Sequence, residues 1–79
     1  MFYTYVLQSI NDPLQTYTGF TKNLKDRLGY HNSGKSFHTA KYAPWKIIFF
    51  AAFDTEQKAV NFEKYLKTCS GKRFLQNHS

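Results

Sequence analysis

Residues 47–53 read IIFFAAF, a run without one polar side chain. It is far shorter than the roughly 20 residues a membrane-spanning helix needs, so the rest of a 79-residue chain must cover it. Bounded by Pro44 and by Asp54-Thr55, the segment Lys46 to Phe53 reads as a buried central strand. A chain of this length removes only about 60 to 65% of its unfolded surface from water, so its core must be compact and built from large side chains. Eight Phe, six Tyr and one Trp supply that volume.

Turn and cap chemistry delimit the other elements. Phe2 to Leu7 and Thr16 to Phe20 are rich in aromatic and β-branched residues, and Asn11-Asp12-Pro13 between them makes a β-hairpin. Strand alternation sets Tyr3, Tyr5 and Leu7 on one face and Phe2, Thr4 and Val6 on the other. Thr21 reads as an N-cap for a helix from Lys22 to His31, stopped by Asn32-Ser33-Gly34. Residues 34–45 read as a basic loop. Asp54-Thr55 caps an amphipathic helix from Glu56 to about Thr68, broken by Gly71, and Lys72 to Asn77 could add one more short helix. The expected fold is a single α+β domain spanning 1–79, ordered β-β-α-β-α with a final short α, around a three-stranded antiparallel sheet.

GYHNSGKS, Gly29 to Ser36, satisfies the phosphate-loop pattern G-x-x-x-x-G-K-[ST]. That loop needs a strand entering it and a helix leaving it. Here Gly29 falls within a helical segment, so the match reads as a helix stop and then a basic loop, with Lys35 a phosphate-backbone contact.

Eleven Lys and Arg against five Asp and Glu give a net charge of +6. In so small a body this favours a polyanionic partner, nucleic acid foremost. A single Cys69 forms no internal disulfide and no zinc site, and the N-terminal residues lack signal-peptide features, so a cytoplasmic protein without a membrane anchor is expected.

Polar residues on apolar helix faces mark the candidate site. Taking Leu24 as origin, Leu28 lies at about 40°, Arg27 at about 300° and His31 at about 340°, so two basic side chains stand on the stripe facing the sheet. In the later helix Glu63 sits between Ala59, Val60 and Leu66. A carboxylate there must be paired or bound to a cation. It either forms a structural ion pair with Arg27, or it shares with Arg27, His31 and the sheet tyrosines a cleft suited to a divalent metal and a phosphate.

Tyr3-Thr4-Tyr5, then Tyr17-Thr18-Gly19, then Arg27 with His31 four residues on, then Glu63, together resemble the GIY-YIG endonuclease domain over nearly the whole chain. Thr18 to Thr21, His31 to Gly34 and Lys64 to Arg73 are similar to its small single-domain branch, stand-alone proteins related to the N-terminal nuclease domain of the excision-repair subunit UvrC. The first motif reads YTY where the family name has GIY, which keeps the tyrosine. The resemblance implies a magnesium- or manganese-dependent endonuclease cutting DNA, weakly sequence-specific or structure-guided, with a place in DNA repair or recombination.

By position it makes Glu63 the metal ligand and Arg27 the group that neutralises the scissile phosphate. Tyr5 lies near the attacking water, Tyr17 orients water or phosphate, and His31 assists proton transfer. Lys35, Lys41 and Arg73 contact nucleic acid, and Asn77 matches a later asparagine found in relatives. A phenol with the ordinary pKa of about 10 is a poor base at neutral pH, so Tyr5 would need Arg27 or the metal to lower it. The expected partner is nucleic acid, DNA ahead of RNA, and the protein a monomer or weak homodimer, with a protein partner able to supply specificity. The alternative is a nucleic-acid-binding module or accessory subunit with a structural Glu63–Arg27 pair. A third reading is a basic protein that docks an acidic partner.

Overall fold

The structure, a computed structural model, describes residues 1–68. Its elements are β1 (Phe2–Ser9), β2 (Thr16–Thr21), α1 (Leu24–Asn32), α2 (Phe37–Ala40), β3 (Trp45–Phe53) and α3 (Glu56–Leu66). The strands form one antiparallel sheet in the order β2-β1-β3. The α+β class, the three-stranded sheet and the β-β-α-β-α order therefore stand, while the short helix expected over Lys72 to Asn77 lies outside the described residues.

The central strand is β1, and β3 is an edge strand. This corrects the expectation drawn from the apolar run. A three-stranded sheet has one strand with neighbours on both sides; β1 takes β2 through the hairpin and β3 on its other flank. Accordingly Thr4, Tyr5, Val6 and Leu7 are all buried. The apolar run is satisfied from its two faces instead. Phe49 and Phe53 pack on Phe62 of α3, with ring centroids 6.2 and 5.5 Å apart, and Ile47 joins the core of Tyr5, Leu7 and Trp45. Phe50, directly across from Tyr5, stays 54% exposed.

The helices lie on opposite faces of β1. Leu24 and Leu28 of α1 pack against the cluster of Tyr5, Leu7 and Trp45. On the other face the Thr4 hydroxyl donates to the Ala59 carbonyl of α3 at 2.6 Å, since adjacent strand residues point to opposite sides.

The N-cap of α1 is Asn23, not Thr21. The Asn23 side chain accepts from the Asp26 N–H, while Thr21 is still paired with Tyr3 as the last residue of β2. Thr55 caps α3 as its sequence implies, accepting from Lys58 N–H. Gly29 is inside α1, and Ser36 leads into a single helical turn, so no strand feeds the GKS segment. That turn, α2, is an element a loop reading misses. It is pinned by the Trp45 indole N–H donating to the Thr39 carbonyl at 2.8 Å.

Candidate active site

β1, α1 and α2 bring together a buried polar chain. The Tyr5 hydroxyl is hydrogen-bonded to His31 Nε2 at 3.1 Å, and His31 Nδ1 to the Thr39 hydroxyl at 2.8 Å. Tyr5, His31 and Thr39 are 3%, 2% and 1% exposed. Burial is tolerable because each polar atom has a partner. Among the described residues no buried side-chain nitrogen or oxygen is left unpaired. The helix end that carries His31 is held by the next residue: the Asn32 amide donates to the Trp45 carbonyl and its oxygen accepts from the Trp45 N–H. That bridge ties the last turn of α1 to the start of β3.

Tyr17 of β2 lies on the other side of the imidazole, its ring centroid 4.8 Å from that of His31 and 6.3 Å from that of Tyr5. Tyr5 extends across Gly19, its cross-strand partner. A Cβ at residue 19 would stand 2.7 Å from the Tyr5 hydroxyl oxygen, 2.9 Å from Cζ and 3.1 Å from Tyr17 Cε2. Glycine is thus required at residue 19 by Tyr5 and Tyr17, whose rings occupy the space a side chain would need.

These groups open on a cleft of about 840 Å³ lined by Tyr5, Tyr17 and Gly19 from the sheet, Arg27 and Tyr30 from α1, and Glu63 from α3. Since α1 and α3 lie on opposite faces, the cleft wraps the free edge of β2. His31 is set behind Tyr5 and does not line it. Tyr5, Tyr17, Arg27, His31 and Glu63, far apart in sequence, are therefore gathered in one place.

Two expectations about charge need correction. Arg27 does not point into the core with His31. It is exposed and lays its guanidinium over the Tyr30 ring, 5.3 Å from the centroid. Its position at the margin of the helical stripe lets the long side chain run out into the cleft. Nor does Arg27 pair with Glu63. The Glu63 carboxylate, 17% exposed, meets Lys67 one turn later at 3.7 Å. An ion pair with so exposed an amine contributes little, and the carboxylate remains on the cleft wall.

Arg27 alone does not supply the lowering that a phenol base would need. Burial raises the pKa of the Tyr5 hydroxyl well above its ordinary value; Tyr17 adds to the rise, Arg27 opposes it and Glu63 adds a smaller increment. The cation is present, but loss of water outweighs it. His31 is moved down, first by burial and then by Arg27, so it is a neutral imidazole at neutral pH.

Among the described residues no three His, Cys, Asp or Glu side chains converge as a metal cage. Lys35 and Lys41 are exposed on the segment around α2, and Lys41 lies over the Tyr42 ring at 5.5 Å. Arg73 and Asn77 lie outside the described residues. Thr39 is the polar group that sequence reading overlooked. No spacing marks it, because its partner His31 comes from another helix; the available signal was a lone threonine in a segment otherwise read as loop.

The chain is similar to known proteins over most of its length. The sequence profile of the GIY-YIG catalytic domain matches residues 1–77. A UPF0213 protein of Streptococcus pyogenes serotype M3 is 36% identical over 66 residues, covering 82% of this chain and 70% of the relative. A UPF0213 protein from the ldhD 5′ region of Pediococcus acidilactici is 35% identical over 83 residues, covering 98% and 83%. The solution NMR structure of a UPF0213 protein from Bacillus halodurans superposes with a TM-score of 0.55 at 27% identity, over 98% of this chain and 84% of that one.

Proposed function

Because the chain belongs to the GIY-YIG catalytic domain family, a family of nucleases, we propose that it is a divalent-metal-dependent endonuclease hydrolysing phosphodiester bonds in DNA. The observation that carries this reading is the buried Tyr5–His31–Thr39 chain ending at a cleft that also presents Arg27 and Glu63. Hydrolysis of a phosphodiester needs a proton acceptor for water and compensation for charge on the phosphoryl oxygens. Arg27 and Glu63 stand on the cleft wall, and His31 is reached from the cleft through the Tyr5 hydroxyl.

Glu63 would hold the metal. A single carboxylate suits Mg²⁺ or Mn²⁺, because such ions keep several waters and complete their shell with substrate phosphate. When bound, the ion supplies positive charge to the phosphate and lowers the pKa of water.

The chain's own groups divide the remaining work. Arg27 faces the cleft with a planar fork of donors and neutralises the scissile phosphate; its stacking on Tyr30 holds that fork in place. Tyr17, 36% exposed, orients phosphate or water. Tyr5 keeps its proton at neutral pH and donates it to His31 Nε2, while His31 Nδ1–H donates to Thr39. Water attacking phosphorus gives its proton to the Tyr5 oxygen as the Tyr5 proton passes to Nε2. The phosphorus bond to the leaving oxygen then breaks, and that oxygen is protonated by solvent in the open cleft. His31 is the terminal acceptor and Tyr5 the conduit, which fits a tyrosine too weakly acidic to serve as a base alone.

The site is tested with supercoiled plasmid, a branched DNA and a labelled RNA, each with Mg²⁺, Mn²⁺ or EDTA, using wild type, Glu63→Gln and Tyr5→Phe. Metal-dependent cutting of DNA lost in both folded variants is the expected result. Equal binding by all three proteins with no cutting under any condition would make the protein a nucleic-acid-binding module.

A further inference from the structure

The one-turn helix α2 has an inward and an outward side. Inward, Thr39 is 1% exposed and bonded to His31. Outward, Phe37 is 90% exposed. The turn that carries both is braced: Thr39 and Ala40 N–H donate to the Ser36 carbonyl at 3.3 and 2.9 Å, and the Trp45 indole holds the Thr39 carbonyl. The ring is thus displayed by a fixed support and not by a loose tip.

The sequence on either side of the turn is basic. Between Asp26 and Asp54 the chain carries Arg27, Lys35, Lys41 and Lys46 and no acidic residue. Lys35 stands two residues before Phe37 and Lys41 four after it, and the His38 ring meets Phe37 edge-on with centroids 5.8 Å apart. Leu14 is equally exposed, but it comes just after Asp12-Pro13 in the hairpin turn and has no Lys or Arg within six residues of it along the chain. Lone exposed hydrophobic residues are ordinary. An aromatic plane flanked by cations on a braced turn has the composition of a single-strand binding surface, where bases stack on rings and lysines track the phosphates.

We propose that Phe37 is a stacking platform for an unpaired nucleobase of the bound strand, with Lys35 and Lys41 holding the phosphates on either side. The occupant is DNA with at least one unstacked base, because a base paired within a duplex offers no free face to a ring on the protein surface. This rests on the nuclease reading for its substrate class. It adds that α2 links strand capture to the buried chain, since the residue two places on from the platform is the partner of His31.

The test uses the full chain in EDTA, so that binding is read without cutting. The probe is a short single-stranded DNA carrying 2-aminopurine, whose fluorescence falls on stacking, compared with the same sequence in a duplex. Wild type is expected to quench the single strand and to bind it more tightly than the duplex. Phe37→Ala should lose the quenching and weaken single-strand binding about 5- to 150-fold, the range for one stacked base, with duplex binding little changed. Phe37→Trp should retain both signals. Lys35→Ala and Lys41→Ala should each lower the salt slope of log affinity for the single strand by about 0.7. Single-strand affinity and quenching unchanged in Phe37→Ala would overturn the proposal. Adding Mg²⁺ afterwards separates it from the nuclease reading: stacking lost on alanine substitution without any cleavage keeps the platform and removes only the chemistry.

Discussion

Tyr5 crosses its partner strand over Gly19 so closely that a methyl group there would stand 2.7 Å from the phenol oxygen. The hydroxyl reaches His31 Nε2 along the same path. The absent side chain at residue 19 is therefore what lets the tyrosine lie between the cleft and the imidazole.

Gly19→Ala should displace Tyr5 and destabilise the fold by about 1 to 3 kcal/mol, the usual cost of overpacking. Urea denaturation of Gly19→Ala, Tyr5→Phe and the double variant checks the origin. Removing the phenol oxygen relieves the closest contact, so the double variant should lose less than the two single losses combined. Cleavage by Gly19→Ala should fall about 100-fold, as expected for a catalytic group displaced by about 1 Å.

Thr39→Val keeps the shape of the side chain and deletes the hydroxyl, leaving His31 Nδ1 buried without its partner. The expected loss is about 1 to 3 kcal/mol, with kcat reduced and KM unchanged because Thr39 is remote from the cleft. Thr39→Ser should recover both. Imidazole ¹⁵N shifts report the tautomer directly: a single Nδ1–H form in wild type and in Thr39→Ser, a mixture in Thr39→Val.

Arg27→Lys retains charge but loses the planar fork and its stacking on Tyr30. A drop in kcat/KM of about 100-fold is expected from losing one preorganised donor to the phosphoryl oxygens. Glu63→Gln should abolish metal-dependent cutting while leaving affinity in EDTA intact. Partial recovery of Glu63→Gln cutting by excess Mg²⁺ would support Glu63 as the ligand, since mass action offsets a weakened site; a metal requirement unchanged from wild type would argue against it.

Stability should fall at both ends of the pH scale for different reasons. His31 has a folded pKa below its ordinary 6.5, so the unfolded chain binds the extra proton first. Its contribution is present above pH about 6.5 and is lost as pH falls through the lower folded value. Tyr5 has a folded pKa above its ordinary 10.0. Its contribution is complete below pH about 10 and is lost as pH rises beyond it. Thermal melts of wild type should show both declines; Tyr5→Phe should keep the acid limb and flatten the alkaline one.

Local pattern alone was enough for the hairpin, the two longer helices and the Thr55 cap, because alternation, turn residues and cap chemistry act within a few residues of themselves. It also marked Glu63 and His31, since a polar side chain on an apolar stripe conflicts with its own neighbours wherever the helix is placed. Only the tertiary structure decided that the IIFFAAF run forms an edge strand: hydrophobicity reports that both faces are covered, and covering helices do that at an edge as well as at the centre. It alone turned Arg27 outward onto Tyr30, since a long side chain at a stripe's margin takes its direction from what stands next to it. And it alone made Thr39 the partner of His31, because a hydrogen bond between two helices depends on where Trp45 and Asn32 anchor them, a distance that no spacing along the chain encodes.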